Sequence, residues 1–582
     1  MTLERGQAQD PGRRMAQDIF QAALDLHRNG RLPEAEVLYR RILAATPRHF
    51  DALHMLGVVA LQTNRPADAV DLIGKAIRSN GNIAAAHFNL GNALRAEKRF
   101  EDAAKAFARS IALRPDHAES HNNRALALED CGRFADAVTG FAKALALRPD
   151  WAEAYYNRAN ALRKLAAGTR GKPGHALELS ERALADYGRA IELAPTFVAA
   201  HLNRGNVLQE LQRDEEAIAS YDRAIKLAPE LATLHNNRGN ALMHIGRDGE
   251  AEQSFRKAIE IDPDDSAGFY NLSFLLLQRG EFAEGLKFYE RRHMFARSQG
   301  RRDYPQPQWL DPAKDPIAGK TLLVYWEQGF GDSIQFCRFM RPAAELGATV
   351  VFEAQKPLRR LLSSFDDAIR IVAEDERPTQ FDYHCPLMSL PMVLGATAAT
   401  IPAAVPYLKS EPAHRRRWAE RIGSDGFRIG VAWQGATANG NLFRSFALRE
   451  MECLSRIPGV RLISLQKGYG TEQLQTLPEG MKVETLGDDF DAGPDAFVDT
   501  AAVMDNLDLV ISCDTSIAHL AGALGRPAWI ALKKVPEWRW MAASDTTPWY
   551  PTLRLFRQHA VGDWGSVFGD MGEALLDTLR NR

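Results

Sequence analysis

The sequence is poor in cysteine, in long apolar runs and in net charge. Five cysteines occur in 582 residues (Cys131, Cys337, Cys385, Cys453 and Cys513), and no two lie closer than 48 positions. That spacing excludes CxxC redox and zinc motifs, and an odd, sparse count fits a reducing cytosol. No run approaches the ~18 apolar residues of a membrane span, and the opening MTLERGQAQDPGRRMAQDIF lacks the apolar core of a signal peptide. The expectation is a cytoplasmic protein with no transmembrane segment. Lys and Arg total 72 against 74 Asp and Glu, a formal net charge of −2. A general polyanion binder shows a strong basic excess, so nucleic acid is not among the expected partners. With 45% hydrophobic and 25% charged residues, the chain reads as globular. At about 100–200 residues per domain, the length predicts roughly three to five domains or one long repeat array.

What the sequence does have is a period. Proline recurs at Pro47, Pro115, Pro149, Pro195, Pro229 and Pro263, with Gly81 in the one vacant register. The step is 34 residues except between Pro149 and Pro195, where it is 46. Before each stop lies a small residue, at Ala35, Ala69, Ala103, Ala137, Ala183, Ala217 and Ala251. Four positions later comes a large one: Tyr39, Ile73, Phe107, Phe141, Tyr187, Tyr221 and Phe255. Gly57, Gly91, Ala125, Ala159, Gly205 and Gly239 mark a second small column. Small residues let paired helices approach, the large residue fills the groove, and the terminal proline stops the second helix. The pattern resembles the tetratricopeptide repeat, a 34-residue helix–turn–helix. Seven repeats are recognisable, with a degenerate eighth around Ser266–Arg297, and the 12 extra residues near 164–176 read as a Gly-rich loop at Ala166–Gly174.

A polar column runs through the same array: Asn89, Asn123, Asn157, Asn203, Asn237 and Asn271 occupy one position of the first helix in six successive repeats. A second Asn follows at Asn92, Asn160, Asn206 and Asn240. First helices line the concave face of such a superhelix. A ladder of amides there suits an extended peptide backbone, which makes the six asparagines candidate acceptor-binding residues. The competing reading is that these amides cap helices or pair between neighbouring repeats. The ladder resembles that of repeat-containing protein O-GlcNAc transferases.

After Arg297 the pattern changes. SQGRRDYPQPQWLDPAKDPIAG reads as a linker. LLVYW (Leu322–Trp326), the glycine loop Glu327–Asp332, a helix at Ser333–Leu346 and ATVVFEA (Ala348–Ala354) then form a βαβ pattern, which implies a parallel sheet. A second such unit runs through Arg428–Gly435, Val460–Gln466 and Leu507–Leu532. The predicted fold is an N-terminal α-solenoid followed by a two-lobed, double Rossmann-like α/β region. The boundaries are a disordered 1–15, an array at 16–297, a linker at 298–318, a first lobe at 319–410 and a second lobe at 411–582 ending in a helix. Both motif loops, Glu327–Asp332 and Cys513–His519, fall at carboxyl ends of strands, where open α/β sheets bind ligands. Asp514, Thr515 and Ser516 open a helix, an arrangement that serves either anion binding or ordinary N-capping. His519 lies one turn on. Asp332 closes a glycine loop and serves either as a cap or as a general base.

EQGFGDSIQFCRF and DTSIAHLAGALGRP look like glycosyltransferase family 9, which includes the lipopolysaccharide heptosyltransferases. GVAWQGATANGNLFRSFAL is similar to that family's middle segment. PQWLD, FDYHCPLMSLP, SLQKG, PEWRW and TTPWYPTLRLFRQ resemble bacterial TPR-fused transferases, some of which glycosylate flagellin. The resemblance spans roughly residues 16–570. It implies a GT-B fold with the nucleotide-sugar donor mainly in the C-terminal lobe, the acceptor toward the N-terminal lobe, and metal-independent transfer with inversion. It matches Asp332 to the family's proposed catalytic base and Asp514, Thr515, Ser516 and His519 to its donor-binding motif. It adds Arg444, Gly329, Gly331 and Lys467 as donor-side residues, with Lys533 and Arg539 as further diphosphate candidates. Trp433 and Trp538 suit either stacking on a base or sugar or buried packing. No cofactor is implied, since the nucleotide-sugar is a substrate, and the triplet Asp489–Asp491 reads as solvated surface rather than a metal-binding DxD. The expected partner is a protein acceptor, flagellin foremost, in the repeat groove. The rivals are a lipopolysaccharide or polysaccharide transferase and a protein-binding scaffold with an inactive transferase region.

Overall fold

The computed structural model describes residues 11–169, 173–264, 266–295, 302–435 and 444–582. The chain divides into two compact units, Met1–Ala241 and Leu242–Arg582.

The first unit is an α-solenoid of helix pairs. Second helices run from Leu32–Ala45 through Asp214–Leu227, and most stop two residues before the recurring proline or its glycine substitute. The small column packs as its chemistry requires. A Cβ on Gly57 would sit 2.5 Å from Ile73, one on Gly91 2.6 Å from Phe107, and one on Gly205 2.4 Å from Tyr221. Phe107, Phe141, Tyr187 and Tyr221 are fully buried in the grooves so formed. Successive first helices touch, Phe50–Gln62 against Ala84–Ala96 and Ala84–Ala96 against Ala118–Asp130, which places them on the inner curve. Many second helices start with an arginine paired to an acid three residues on, as in Arg99–Asp102, Arg133–Asp136 and Arg213–Glu216. These exposed pairs contribute little individually.

Two expectations for this unit are corrected. The 12-residue insertion is mostly helix: Ala152–Gly168 and Pro173–Leu193 are longer than the other helices of their kind, and 170–172 lie outside the described residues. Ala166 and Ala167 continue one helix, and Pro173, needing no N–H bond, opens the next. Of the segment 1–15 expected to be disordered, 1–10 lie outside the described residues, and Pro11–Met15 already belong to the helix Pro11–Arg28.

The second unit begins inside the repeat array, not at the predicted 297/298 boundary. Its last helix pair is α1 (Ser266–Gln278) and α2 (Phe282–Tyr289). Two parallel sheets follow. The first contains β1 (Thr321–Tyr325), β2 (Thr349–Glu353), β3 (Arg370–Val372) and β4 (Tyr383–Pro386) in the order β3-β2-β1-β4. The second contains β5 (Phe427–Ala432), β6 (Val460–Ser464), β7 (Val483–Glu484), β8 (Leu509–Cys513), β9 (Ala528–Leu532) and β10 (Leu553–Arg557) in the order β10-β9-β8-β5-β6-β7. The helices that matter below are α3 (Phe330–Phe336), α4 (Pro412–Ile422), α5 (Val498–Met504), α6 (Ser516–Ala523) and α7 (Trp564–Arg580). Central strands β1 and β8 are buried along nearly their whole length, as expected of parallel strands covered on both faces.

The segment 298–318 is more than a tether. Residues 298–301 lie outside the described residues, but Trp309 is fully buried and exchanges backbone bonds with the β4 edge: Trp309 N–H to His384 C=O (2.8 Å) and His384 N–H to Pro307 C=O (3.1 Å). An indole of that size gains more from the core than from water. The last repeat is likewise joined to the lobes. Gln278 Nε2 donates to Pro536 C=O at 3.1 Å, and Ala542 N–H donates to Gln278 C=O at 3.1 Å. Phe282 and Tyr289 lie edge-on to Trp549 and Trp538, respectively.

Candidate active site

The two sequence motifs meet. In the first sheet the strand order reverses between β1 and β4, and in the second between β5 and β8, so each lobe has a crevice at the carboxyl ends of those parallel strands. The loop after β1 leads into α3, and the loop after β8 leads into α6. The two helices pack N-terminus to N-terminus. Gly331 is the reason they approach so closely: a Cβ there would sit 2.9 Å from the His519 ring and 3.4 Å from Ser516 Cα. Gly331 is therefore a packing residue between lobes, and Gly329 is the N-cap of α3, its N–H donating to Asp332 Oδ2 at 2.9 Å.

Asp332 is both cap and charge centre. Its other oxygen, Oδ1, pairs with Arg539 Nη2 at 2.5 Å, across 207 residues of sequence. About a fifth of the Asp332 side chain remains exposed. Burial pushes its carboxyl above the ordinary aspartate range, against the pull of Arg539 and the Gly329 N–H. Arg539 is buried and well partnered: Nε donates to Gln335 Oε1 at 2.8 Å, Nη1 pairs with Glu537, and Phe336 and Trp538 pack beside the guanidinium. Burial, with the nearby Asp514 and Asp332 charges, pushes the Glu537 carboxyl up to about 7.

On the C-terminal side, Asp514, Thr515 and Ser516 stand at the start of α6, half-buried. The capping alternative is not realised, because no side chain caps this helix. Thr515 Oγ1 instead bonds Ser512 Oγ at 3.0 Å. The N-terminus of α6, at the crevice end of β8, thus carries its helix dipole with no side-chain cap. Two cations border it. Arg444 lies against Gly435 just beyond β5, and its Nε is buried without a hydrogen-bond partner among the described residues. Lys533 follows β9, and burial lowers its pKa while Asp514 and Glu537 raise it. Residues 436–443 of the middle segment lie outside the described residues.

Two candidates sit elsewhere. His519 is buried beneath the crevice rather than in it: it stacks on Trp540 at 5.2 Å, and Nδ1 bonds the Tyr550 hydroxyl at 3.1 Å. Burial, helped by Arg539, holds its pKa well below the ordinary histidine value, so it is neutral. Its place three residues after Ser516 puts it on the inward face of a helix that the core covers. Lys467 donates to the carbonyls of Phe490 and Asp491 (2.9 Å to the latter), which ties it to a loop and not to the crevice. The Asp489–Asp491 segment is also corrected. Asp489 pairs with Arg417 and Arg421 of α4, and Asp491 accepts from the Asp499 N–H (2.8 Å) and the Thr500 hydroxyl, closing the N-terminus of α5. Trp433 and Trp538 are buried in the core.

The asparagine column is half-buried throughout. Its amide groups pair between repeats: Asn123 Nδ2 donates to Asn92 Oδ1 (3.0 Å), Asn203 Nδ2 to Asn160 Oδ1 (3.0 Å) and Asn237 Nδ2 to Asn206 Oδ1 (2.9 Å). Asn157 Nδ2 reaches Asn122 Oδ1 at 3.4 Å, and Asn89 meets the His54 ring at 2.9 Å. Asn271, on α1, belongs to the second unit. Asn92, Asn160 and Asn206 of the second Asn column are thus partners of the first, and a donor of each bonded amide is used within the array. Glu537 and Gln335 were not singled out from sequence. The PEWRW motif carried one of them, but only the fold shows that it faces Asp332.

Comparisons with known proteins bear on the array. Tetratricopeptide repeat models match residues 20–82, 54–118 and 88–150. Further models of the repeat match 210–246, 232–265 and 254–287. The N-terminal solenoid is thus built of tetratricopeptide repeats. Protein FlbA of Caulobacter vibrioides is 28% identical over 329 residues, covering 52% of this chain and 54% of FlbA. The chain thus spans about half the length of the curated relative it matches. Among solved structures, YrrB, described as a TPR protein with an unusual peptide-binding site, is 22% identical. It covers 34% of this chain and 97% of its own, with a TM-score of 0.30. The C-terminal part of a TPR repeat-containing protein from Cytophaga hutchinsonii is 16% identical, covers 44% and 99%, and has a TM-score of 0.36.

Proposed function

We propose that the chain is a glycosyltransferase that moves a sugar from a nucleotide-sugar to Ser or Thr hydroxyls of a protein acceptor gripped by its tetratricopeptide array. The observation that carries the reading is the juxtaposition of a partly exposed carboxylate, Asp332, with a helix N-terminus flanked by Arg444 and Lys533. One side suits removal of a proton and the other suits a leaving phosphate. Asp332 takes the hydroxyl proton, and the oxygen attacks the anomeric carbon. The bond from that carbon to the phosphate oxygen breaks. The α6 amides, Arg444 and Lys533 receive the charge on the departing nucleotide. The near-zero net charge of the chain agrees with positive charge needed only at this point. The motif resemblance makes inversion the expected stereochemistry and flagellin the leading acceptor.

The test is intact-mass measurement of flagellin and total glycoprotein from cells that lack the protein, restored with wild type or with Asp332→Asn. Loss of one sugar mass in the deletion, regained with wild type only, is expected. Asp332→Asn should lower transfer about a thousandfold in vitro while leaving the fold intact. A change confined to lipopolysaccharide would replace the protein acceptor by a glycolipid, and unchanged glycans everywhere would leave a scaffold.

A further inference from the structure

Arg539 reaches three acceptors at once. Its Nη2 meets Asp332 Oδ1, its Nη1 meets Glu537 Oε1 and its Nε meets Gln335 Oε1. The Arg539 N–H also donates to Glu537 Oε2 at 2.9 Å, so Glu537 grips both the backbone and the head of the residue it serves. Phe336 and Trp538 pack beside the guanidinium, and with its three acceptors they hold it in place. Asp332 receives one fixed bond from Arg539 and one from the Gly329 N–H, and about a fifth of its side chain stays exposed. We propose that Arg539, held by Glu537 and Gln335, is a positioning residue for Asp332, and that the proton on Glu537 sets how much of the Arg539 charge Asp332 receives. This rests on the transferase reading for its consequence, but the coupling itself is a property of the folded chain.

The physical argument is electrostatic. Two carboxylates share one buried cation. When Glu537 is protonated, Arg539 acts on Asp332 alone and Asp332 is a weak base. When Glu537 ionises, it competes for Arg539 and adds a second negative charge near Asp332, which becomes a stronger base. Glu537 titrates near neutrality, so the change falls within the working range. The other charged or titratable groups acting on Glu537 are Asp514, Lys533 and Tyr270. Those acting on Asp332 besides Arg539 are Asp514, Glu327, Tyr270 and Tyr289. The His519 ring lies beside Gly331 and is neutral, so it adds no charge there.

The experiment uses the full chain labelled with 13C at aspartate carboxyls, with the Asp332 resonance assigned by Asp332→Asn. In wild type the Asp332 signal should show a step near pH 7 besides its own titration, and Glu537→Gln should abolish that step. Arg539→Gln should raise the Asp332 midpoint by about one pH unit or more, a tenfold change in proton affinity. In transfer assays the Glu537→Gln rate should equal wild type at pH 6 and fall about threefold at pH 8, because the proton-free state is lost. A structural role alone would lower the rate equally at both pH values. A step that persists in Glu537→Gln overturns the proposal, as does an Asp332 midpoint unmoved by Arg539→Gln. If Arg539→Gln does not fold, the Glu537→Gln arm decides alone. If wild type transfers no sugar, the transferase reading falls while the carboxyl titration still settles the coupling.

Discussion

In the first unit Asn123 bonds Asn92 and Asn237 bonds Asn206, one arrangement repeated along the array. In the second, Asp332 bonds Arg539 from the far end of the α/β region, across 207 residues of sequence. The solenoid distributes its polar groups by period. Most of the first-column amides bond a neighbour in an adjacent repeat, and most ion pairs are exposed. The α/β unit concentrates charge where strand ends and helix N-termini converge, and buries it. A column in a repeat therefore reports packing first. A charge removed from water and held by several partners, at a strand end, reports chemistry. The asparagine column, the most regular polar feature, bonds within the array, and in the crevice Arg444 Nε has no hydrogen-bond partner among the described residues.

The contrast can be broken at its strongest point by emptying a groove. Tyr221 is fully buried, and its hydroxyl lies within hydrogen-bond distance of Asn206 Oδ1 (2.8 Å) and Gln209 Oε1 (2.7 Å). Tyr221→Ala should cost about 3–5 kcal/mol, and hydrogen exchange should show protection lost in Val198–Glu210 and Asp214–Leu227 and fading within neighbouring repeats. Uniform loss along the whole array would contradict nearest-neighbour packing.

Next in size is the charge of Arg444, whose Nε has no hydrogen-bond partner among the described residues. Arg444→Gln, compared with Lys533→Gln, should weaken binding of UDP, GDP or CMP about tenfold or more in calorimetry, the size of one charged hydrogen bond. Equal affinity in both variants would remove these cations from the donor side.

A pH test sharpens the role of His519. Its pKa is depressed in the fold, so the unfolded chain binds the extra proton. The stability it lends is complete above about pH 6.5 and is lost as pH falls, by roughly 1.4 kcal/mol per pH unit. Urea unfolding of His519→Gln should show a smaller acid loss than wild type. The raised carboxyls of Asp332 and Glu537 act with the opposite sign in both proteins, so the difference isolates His519.

The smallest effect is expected in the ladder. Asn123→Ala should cost about 1 kcal/mol through the lost Asn92 bond. If the column also grips a peptide backbone, a six-fold Asn→Ala chain should lose acceptor capture in a pull-down with its helicity retained. Retained capture would leave the column purely structural.

The array was legible in the sequence because a repeat writes the same local physics many times. Gly91 over Phe107 and Gly205 over Tyr221 are the contacts that the small and large columns imply. The parallel strands were legible as apolar runs ending in glycine or acid loops. The helical insertion, the docked Trp309 and the capping role of Asp491 were not, because each depends on a neighbour far away in sequence. His519 was drawn to the crevice by its spacing, but the face of α6 it occupies is decided by what packs there.

By itself, then, the sequence determined the repeat period, the two βαβ units and the positions of Asp332 and the Asp514–Ser516 helix start, since periodicity and strand-end loops are local properties. Only the tertiary structure decided that α3 and α6 meet at Gly331, that the last repeat belongs to the α/β unit, and that Arg539 joins Asp332 to Glu537. Those facts rest on the burial of charges brought together from separate elements. The cost of removing such groups from water depends on every partner the fold supplies, which no local pattern records.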